Sequence, residues 1–155
     1  MTHKDYMLMA FEEAFKGIRN NIGGPFGAVI VAEGIIIGKG HNMVTSTNDP
    51  TAHAEVVAIR NACKTVAAFH LPNAVLYSSC EPCPMCLSAI YWANIKTLYY
   101  CADRYDAEQF GFSDKLIYDE LSKENNKRLI KIEQLHLPIS TELFNEWTNK
   151  QNKIT

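Results

Sequence analysis

Apolar side chains recur every three or four positions at Leu8, Phe11, Phe15 and Ile18. That period predicts an amphipathic helix over residues 5–20, ended by Gly23-Gly24-Pro25. Phe26 to Ala32 is short, apolar and rich in β-branched residues, and Ile35 to Gly38 repeats that character after Glu33-Gly34. The two read as a hairpin closed by a tight turn. Residues 41–50 are polar and loop-like. Asp49-Pro50 suits a helix start, with Asp as the cap and Pro in the first turn. The helix is expected from about Thr51 to Val66, with Val56, Ile59 and Cys63 on one face. Ala74 to Ser78 reads as a buried strand, Pro84 to Ala93 as a helix and Lys96 to Cys101 as a strand. A helix at 114–123, an alternating strand from Arg128 to Gln134 and a helix from Thr141 to Lys150 complete the series. Helical crossovers between strands predict parallel pairing beyond the first hairpin. The expected fold class is α/β: a mixed five-stranded sheet with helices on both faces, as in a three-layer α/β/α sandwich.

The chain has 155 residues, 47% of them hydrophobic, which points to one folded domain spanning residues 1–155. No apolar run approaches the roughly 20 residues needed to cross a bilayer, so no membrane partner is expected. The N-terminus lacks the apolar core of a secretory signal, and a cytoplasmic location follows. The formal net charge is −2 with only four arginines. A nucleic-acid footprint would need clustered positive charge, so such a partner is not expected. The run Lys123 to Arg128 reads as a solvated turn. Five cysteines are too few and too odd in number for a disulfide framework; close pairs in a reducing compartment are metal ligands or redox groups.

Two patterns carry chemistry. His53-Ala54-Glu55 opens the second predicted helix, and Pro82-Cys83-Pro84-Met85-Cys86 opens the third. Imidazole nitrogen and thiolate sulfur suit zinc, and one helical turn brings Cys83 and Cys86 to one side. Positive helix starts favour thiolate over thiol. Three protein ligands, His53, Cys83 and Cys86, leave a fourth position for water, the composition of a catalytic site. Zinc so held lowers the pKa of the bound water and supplies hydroxide. Glu55 is near enough to take the proton and deliver it to a ring nitrogen and then to a leaving amine. A C-x-x-C alone could be a structural zinc or redox pair, and a lone His at a helix start could be a cap. H-x-E followed by P-C-x-x-C is far more specific and is the signature of zinc deaminases. Cys80 is the best candidate for a fourth ligand should the site be structural; otherwise it is a small buried hydrophobe, like Cys63 and Cys101.

Over about residues 5–147 the chain resembles the cytidine-deaminase-like zinc superfamily, and within it the small bacterial guanine deaminases. The stretches that carry the resemblance are Gly23 to Ala28, Asn48 to Glu55, Ser79 to Cys86 continuing to Ala93, and Asp106 to Asp114. The first three are partly shared with tRNA adenosine deaminases; the fourth is not, and points to the guanine-specific branch. The resemblance implies one zinc ion per subunit and the reaction guanine + water → xanthine + ammonia, with attack at C2 and Glu55 passing a proton to N3. It implies that Asp114 reads N1–H and the 2-amino group together and helps move protons. It gives Asn42 a hydrogen bond to the base, and Phe26 a place near the base plane, where it can stack. Trp92 is carried as a further substrate contact. Taken alone, Asp114 would be a helix cap, Asn42 a loop residue, Phe26 core, and Tyr91 and Trp92 packing residues.

The resemblance also implies a homodimer in which a C-terminal segment, about residues 138–155, crosses to the partner, where a late aromatic closes the site. Here the last aromatic is Trp147. Either Trp147 or Ile154 takes that place, or the site is more open. An open site would admit guanosine or another amino-substituted heterocycle. A tRNA adenosine deaminase would share the metal and Glu55 but needs basic and aromatic residues to grip RNA. A zinc-binding scaffold without catalysis is the remaining reading.

Overall fold

A computed structural model describes residues 1–150. The chain divides after Tyr118 into two compact units, Met1–Tyr118 and the segment from Asp119 onward. Helix α1 spans His3–Arg19. Thr2 and Asp5 form a capping box at its start, the Thr2 hydroxyl accepting from the Asp5 amide and the Asp5 carboxylate from the Thr2 amide. Strands β1 (Gly27–Ala32) and β2 (Ile35–His41) form the expected hairpin. Glu33 and Gly34 both take positive φ, 50° and 77°, the conformation that two-residue hairpin turns demand.

A short helix α2 (Val44–Thr47) occupies part of the segment expected to be loop. Helix α3 (Ala54–Val66), strand β3 (Ala74–Cys80), helix α4 (Pro84–Trp92) and strand β4 (Thr97–Ala102) follow. Helices α5 (Arg104–Gln109) and α6 (Lys115–Leu121) come next; α5 had no expected counterpart. The α3 helix begins later than its sequence signals suggested. Asp49 caps nothing helical; its carboxylate accepts from the Thr51 amide and hydroxyl in a tight turn.

The sheet has four strands in the order β2-β1-β3-β4, not five. β1 runs antiparallel to both neighbours, and β3 and β4 are parallel. The expectation of parallel pairing beyond the hairpin therefore holds only for β3 and β4. The crossover from β2 lands on the far side of β1, which inserts between two strands of like direction. Residues 128–134, expected as the fifth strand, join no sheet. Local partners take over there: the Leu129 amide donates to the Glu120 carboxylate and the Arg128 side chain to carbonyls at the end of α6.

Alternate residues of β1 face opposite helices. Val29 and Val31 pack with Tyr6 and Ala10 of α1, while Ala28 and Ile30 pack with Ala54, Ala58 and Ala62 of α3. Apart from Tyr6 on α1 and Glu55 on α3, the buried faces of both helices are built of small residues. Ala10, Ala14 and Gly17 face inward on α1, whereas Leu8 and Phe15 stay exposed. On α3, Ala58 and Ala62 are buried and Val56, Ile59 and Cys63 only partly so. Gly38 and Gly40 of β2 explain the choice on α3, as Gly27 of β1 does at Ala10 and Ala14 of α1. A methyl on either β2 glycine would meet α3 backbone atoms at 2.5 Å, so helix and strand touch through glycine and alanine.

The last helix of the segment from Asp119, among the described residues, is α7 (Ile139–Thr148), which has no buried residue. Among the described residues no helix is long and apolar enough to cross a membrane.

Candidate active site

Strands β2, β3 and β4 all point the same way, since β1 opposes both β2 and β3. Their C-terminal ends open at one edge of the sheet, where α/β folds place their sites. Asn42 follows β2, Glu81 to Cys83 follow β3, and Arg104 follows β4.

His53 and Cys83 each occupy the cap position of a helix, α3 and α4. A cap normally offers an oxygen to the free amides of the first turn, and losing it costs about 1 kcal/mol. Neither side chain caps here; both are left for another ligand. His53 Nδ1 lies 3.5 Å from Cys83 Sγ and 3.4 Å from Cys86 Sγ. On a tetrahedral zinc, a nitrogen at about 2.0 Å and a sulfur at about 2.3 Å stand roughly 3.5 Å apart. The three donors therefore fit that ion in type and spacing. Among the described residues this is the group of His, Cys, Asp and Glu whose ligand atoms converge, and it has three members. Cys80 is not one of them. Burial pushes its thiol up to about 11.

His53 lies within hydrogen-bonding reach of both cysteines. The hydrogen bond from Cys86 holds Cys83 far below the usual thiol range, at about 4, against burial and with help from His53. Cys86 moves the opposite way, through the same hydrogen bond and burial. One thiolate shares protons with its neighbours where a cation would neutralise both sulfurs.

Glu55, in the first turn of α3, is 6% exposed. Burial pushes its carboxyl up. Ser78 Oγ lies 3.2 Å from Glu55 Oε1 and 2.7 Å from the Cys80 carbonyl oxygen. Ser78 thus braces the Glu55 carboxyl from β3, sharing its one hydroxyl hydrogen between that oxygen and the Cys80 carbonyl. Nothing in the sequence singled it out, because a serine in an apolar strand has no signature.

These groups open into a cleft of about 480 Å³, whose lining includes Phe26, Asn42, Glu55, Phe112 and Asp114. Asn42 is 8% exposed, and its Oδ1 accepts from the Val44 amide at 3.0 Å and the Gly24 amide at 3.4 Å. With the carbonyl so used, the amide nitrogen remains as a donor. Gly23 makes room, since a methyl there would come within 2.6 Å of that Oδ1. Phe26 meets Phe112 edge to face, centroids 5.0 Å apart. Asp114, just before α6, also lines the cleft, and burial raises its carboxyl above the ordinary range.

Trp92 is placed elsewhere. It is the last residue of α4, 83% exposed, and not in the cleft lining. Tyr91 beside it is 78% exposed, so neither is a packing residue within this chain. The side chains of a short apolar helix point to all sides, and these two fall on the outer one. Ile154 lies outside the described residues; Trp147 is half-buried in α7. Glu81 and Arg104 line the cleft without having been singled out as site residues.

The family model of the cytidine and deoxycytidylate deaminase zinc-binding region matches residues 1–102. The guanine deaminase of Bacillus subtilis is 50% identical over 153 residues, 99% of this chain and 98% of that protein. The crystal structure of a guanine deaminase from that organism superposes with a TM-score of 0.97 at 49% identity, covering 100% of this chain and 99% of the other. A tRNA-specific adenosine deaminase of Buchnera aphidicola is 37% identical over 127 residues, 82% of each chain. The chain is a member of the cytidine and deoxycytidylate deaminase zinc-binding family.

Proposed function

We propose that this chain is a zinc-dependent guanine aminohydrolase, releasing xanthine and ammonia. The observation that carries the reading is the convergence, on one cleft, of the His53–Cys83–Cys86 donors, buried Glu55 and Asp114. Near full-length likeness to a guanine deaminase supports the substrate. His53, Cys83 and Cys86 would hold a zinc ion, which would supply an activated water as the nucleophile for C2. Glu55, held by Ser78, takes the water's proton, gives it to N3 and then protonates the departing amine. Asp114 accepts from N1–H and the 2-amino group. Asn42 donates its amide N–H to an acceptor on the base, and the Phe26–Phe112 corner provides an aromatic wall.

An ammonia-release screen over guanine, guanosine, adenine, cytosine, cytidine, a pterin and an RNA anticodon hairpin tests this reading. Guanine is expected to lead; the RNA leading would reassign the chain to tRNA. Asp114→Ala should lower kcat/KM for guanine by about 10- to 100-fold, the worth of charge-assisted hydrogen bonds, with zinc retained. Zinc loss in that variant would make Asp114 a structural residue instead.

Residues 1–155 serve on this reading as one deaminase domain with a three-layer α/β/α core. Five unpaired cysteines suit a reducing cytoplasm. Leu143 and Phe144 of α7 are 61% and 67% exposed, and Tyr100 of β4 is 47% exposed. Apolar surface of this kind supports a homodimer in which a C-terminal segment, about residues 138–155, is exchanged.

A further inference from the structure

Helix α6, which begins just after Asp114, has only seven residues and none of them is buried. A helix that short does not hold its own position, so contacts beyond it must place the carboxylate. Asp114 and Tyr118 lie one turn apart, the Tyr118 amide donating to the Asp114 carbonyl at 3.2 Å. Both are half-buried, whereas Lys115, Leu116 and Ile117 between them are exposed. The Tyr118 hydroxyl reaches the Pro82 carbonyl oxygen at 3.4 Å, next to Cys83. The Arg104 guanidinium lies on the Tyr118 ring, 4.3 Å from its centroid. Arg104 is itself tethered to the metal loop: its backbone amide donates to Glu81 Oε1 at 3.0 Å, and the Glu81 amide donates to the Ala102 carbonyl at 2.7 Å. Both contacts of Tyr118 thus lead to Glu81-Pro82, the residues preceding a zinc ligand.

We propose that Tyr118 and Arg104 are positioning residues that hold Asp114 at a fixed reach from the metal cluster. The inference rests on the reading of Asp114 as the group that binds the base. A carboxylate that must meet two adjacent N–H groups while C2 faces the nucleophile tolerates little displacement. The ring of Tyr118 sets the height of α6 over the Pro82 loop, and the guanidinium clamps that ring. Arg104 has a second effect of the same sign: its charge favours the ionised form of Asp114 against burial.

A double-mutant cycle tests the proposal on the zinc-loaded full chain. Tyr118→Leu should lower kcat/KM for guanine by about tenfold, with zinc content and thermal midpoint near the parent. Tyr118→Phe, which keeps the ring under Arg104, should recover most of the loss. In an Asp114→Ala background, Tyr118→Leu should cost less than about twofold, because the residue it acts through is gone. Equal losses in both backgrounds, or loss of zinc from Tyr118→Leu, would overturn the proposal while leaving the role of Asp114 standing. Full guanine turnover by Asp114→Ala itself would end the reading of Asp114 and this inference with it. Should Tyr118→Leu fold poorly, Arg104→Gln enters the same cycle with the same expected outcomes.

Discussion

Glu55→Gln is expected to retain zinc and the fold and to lose guanine turnover by at least about 10²-fold, the usual worth of a positioned general acid–base. The amide has nearly the carboxyl's shape and can still meet Ser78, 3.2 Å from Glu55 Oε1. It cannot accept the water's proton or return one to the amine. Because Glu55 lies outside the converging donor set, its loss should not release metal. The check is steady-state turnover beside metal analysis of the same preparation. Full activity in Glu55→Gln would end the proposed proton route. An inactive variant that also lost zinc would make Glu55 a structural support for the cluster.

The second large effect is expected at the ligands. Cys86 is fully buried, and Cys86→Ala leaves His53 and Cys83 as a two-donor site. Zinc needs its full donor set for tight binding, and metal binding is coupled to folding. Stoichiometric zinc should be lost, activity abolished and the thermal midpoint lowered. Cys80→Ala is the contrasting variant. Cys80 lines the cleft but stands outside the metal group, so zinc should stay and turnover persist. Equal zinc loss in the two variants would place Cys80 among the ligands and describe a closed structural site.

Much of this architecture was legible from residue order. The hairpin turn at Glu33-Gly34, the helices that begin beside His53 and Cys83, and the donor set itself follow from short-range signals. The helix faces did not. Periodicity picked out the large side chains Phe15 and Ile59, whereas this fold buries Ala10, Ala14, Ala58 and Ala62 against the sheet. Close approach rewards small residues, and only the partner surface, here Gly27 for α1 and Gly38 and Gly40 for α3, shows that such an approach occurs. The expected strand at 128–134 failed for a related reason. Alternation is a local property, whereas a strand needs a neighbour, and Glu120 satisfies the Leu129 amide first. Asp49-Pro50 carried the usual marks of a helix start, yet the chain turns there and places His53 at the cap. A candidate metal ligand thus stands at the cap in place of the residue type that local propensity favours, the kind of conflict that functional sites produce. The contacts that bring Ser78 to Glu55 and Tyr118 to Pro82 are distant in sequence, and a pattern along the chain does not register them. Trp92 failed in the opposite sense: an aromatic in a matching stretch, but on the outer side of α4.

Zinc-edge X-ray absorption on the purified, metal-loaded protein tests the central claim most directly. The account predicts two sulfurs at about 2.3 Å, with one imidazole nitrogen and one further light atom near 2.0 Å. Three sulfurs on the metal, or protein that takes up no stoichiometric zinc, would contradict it.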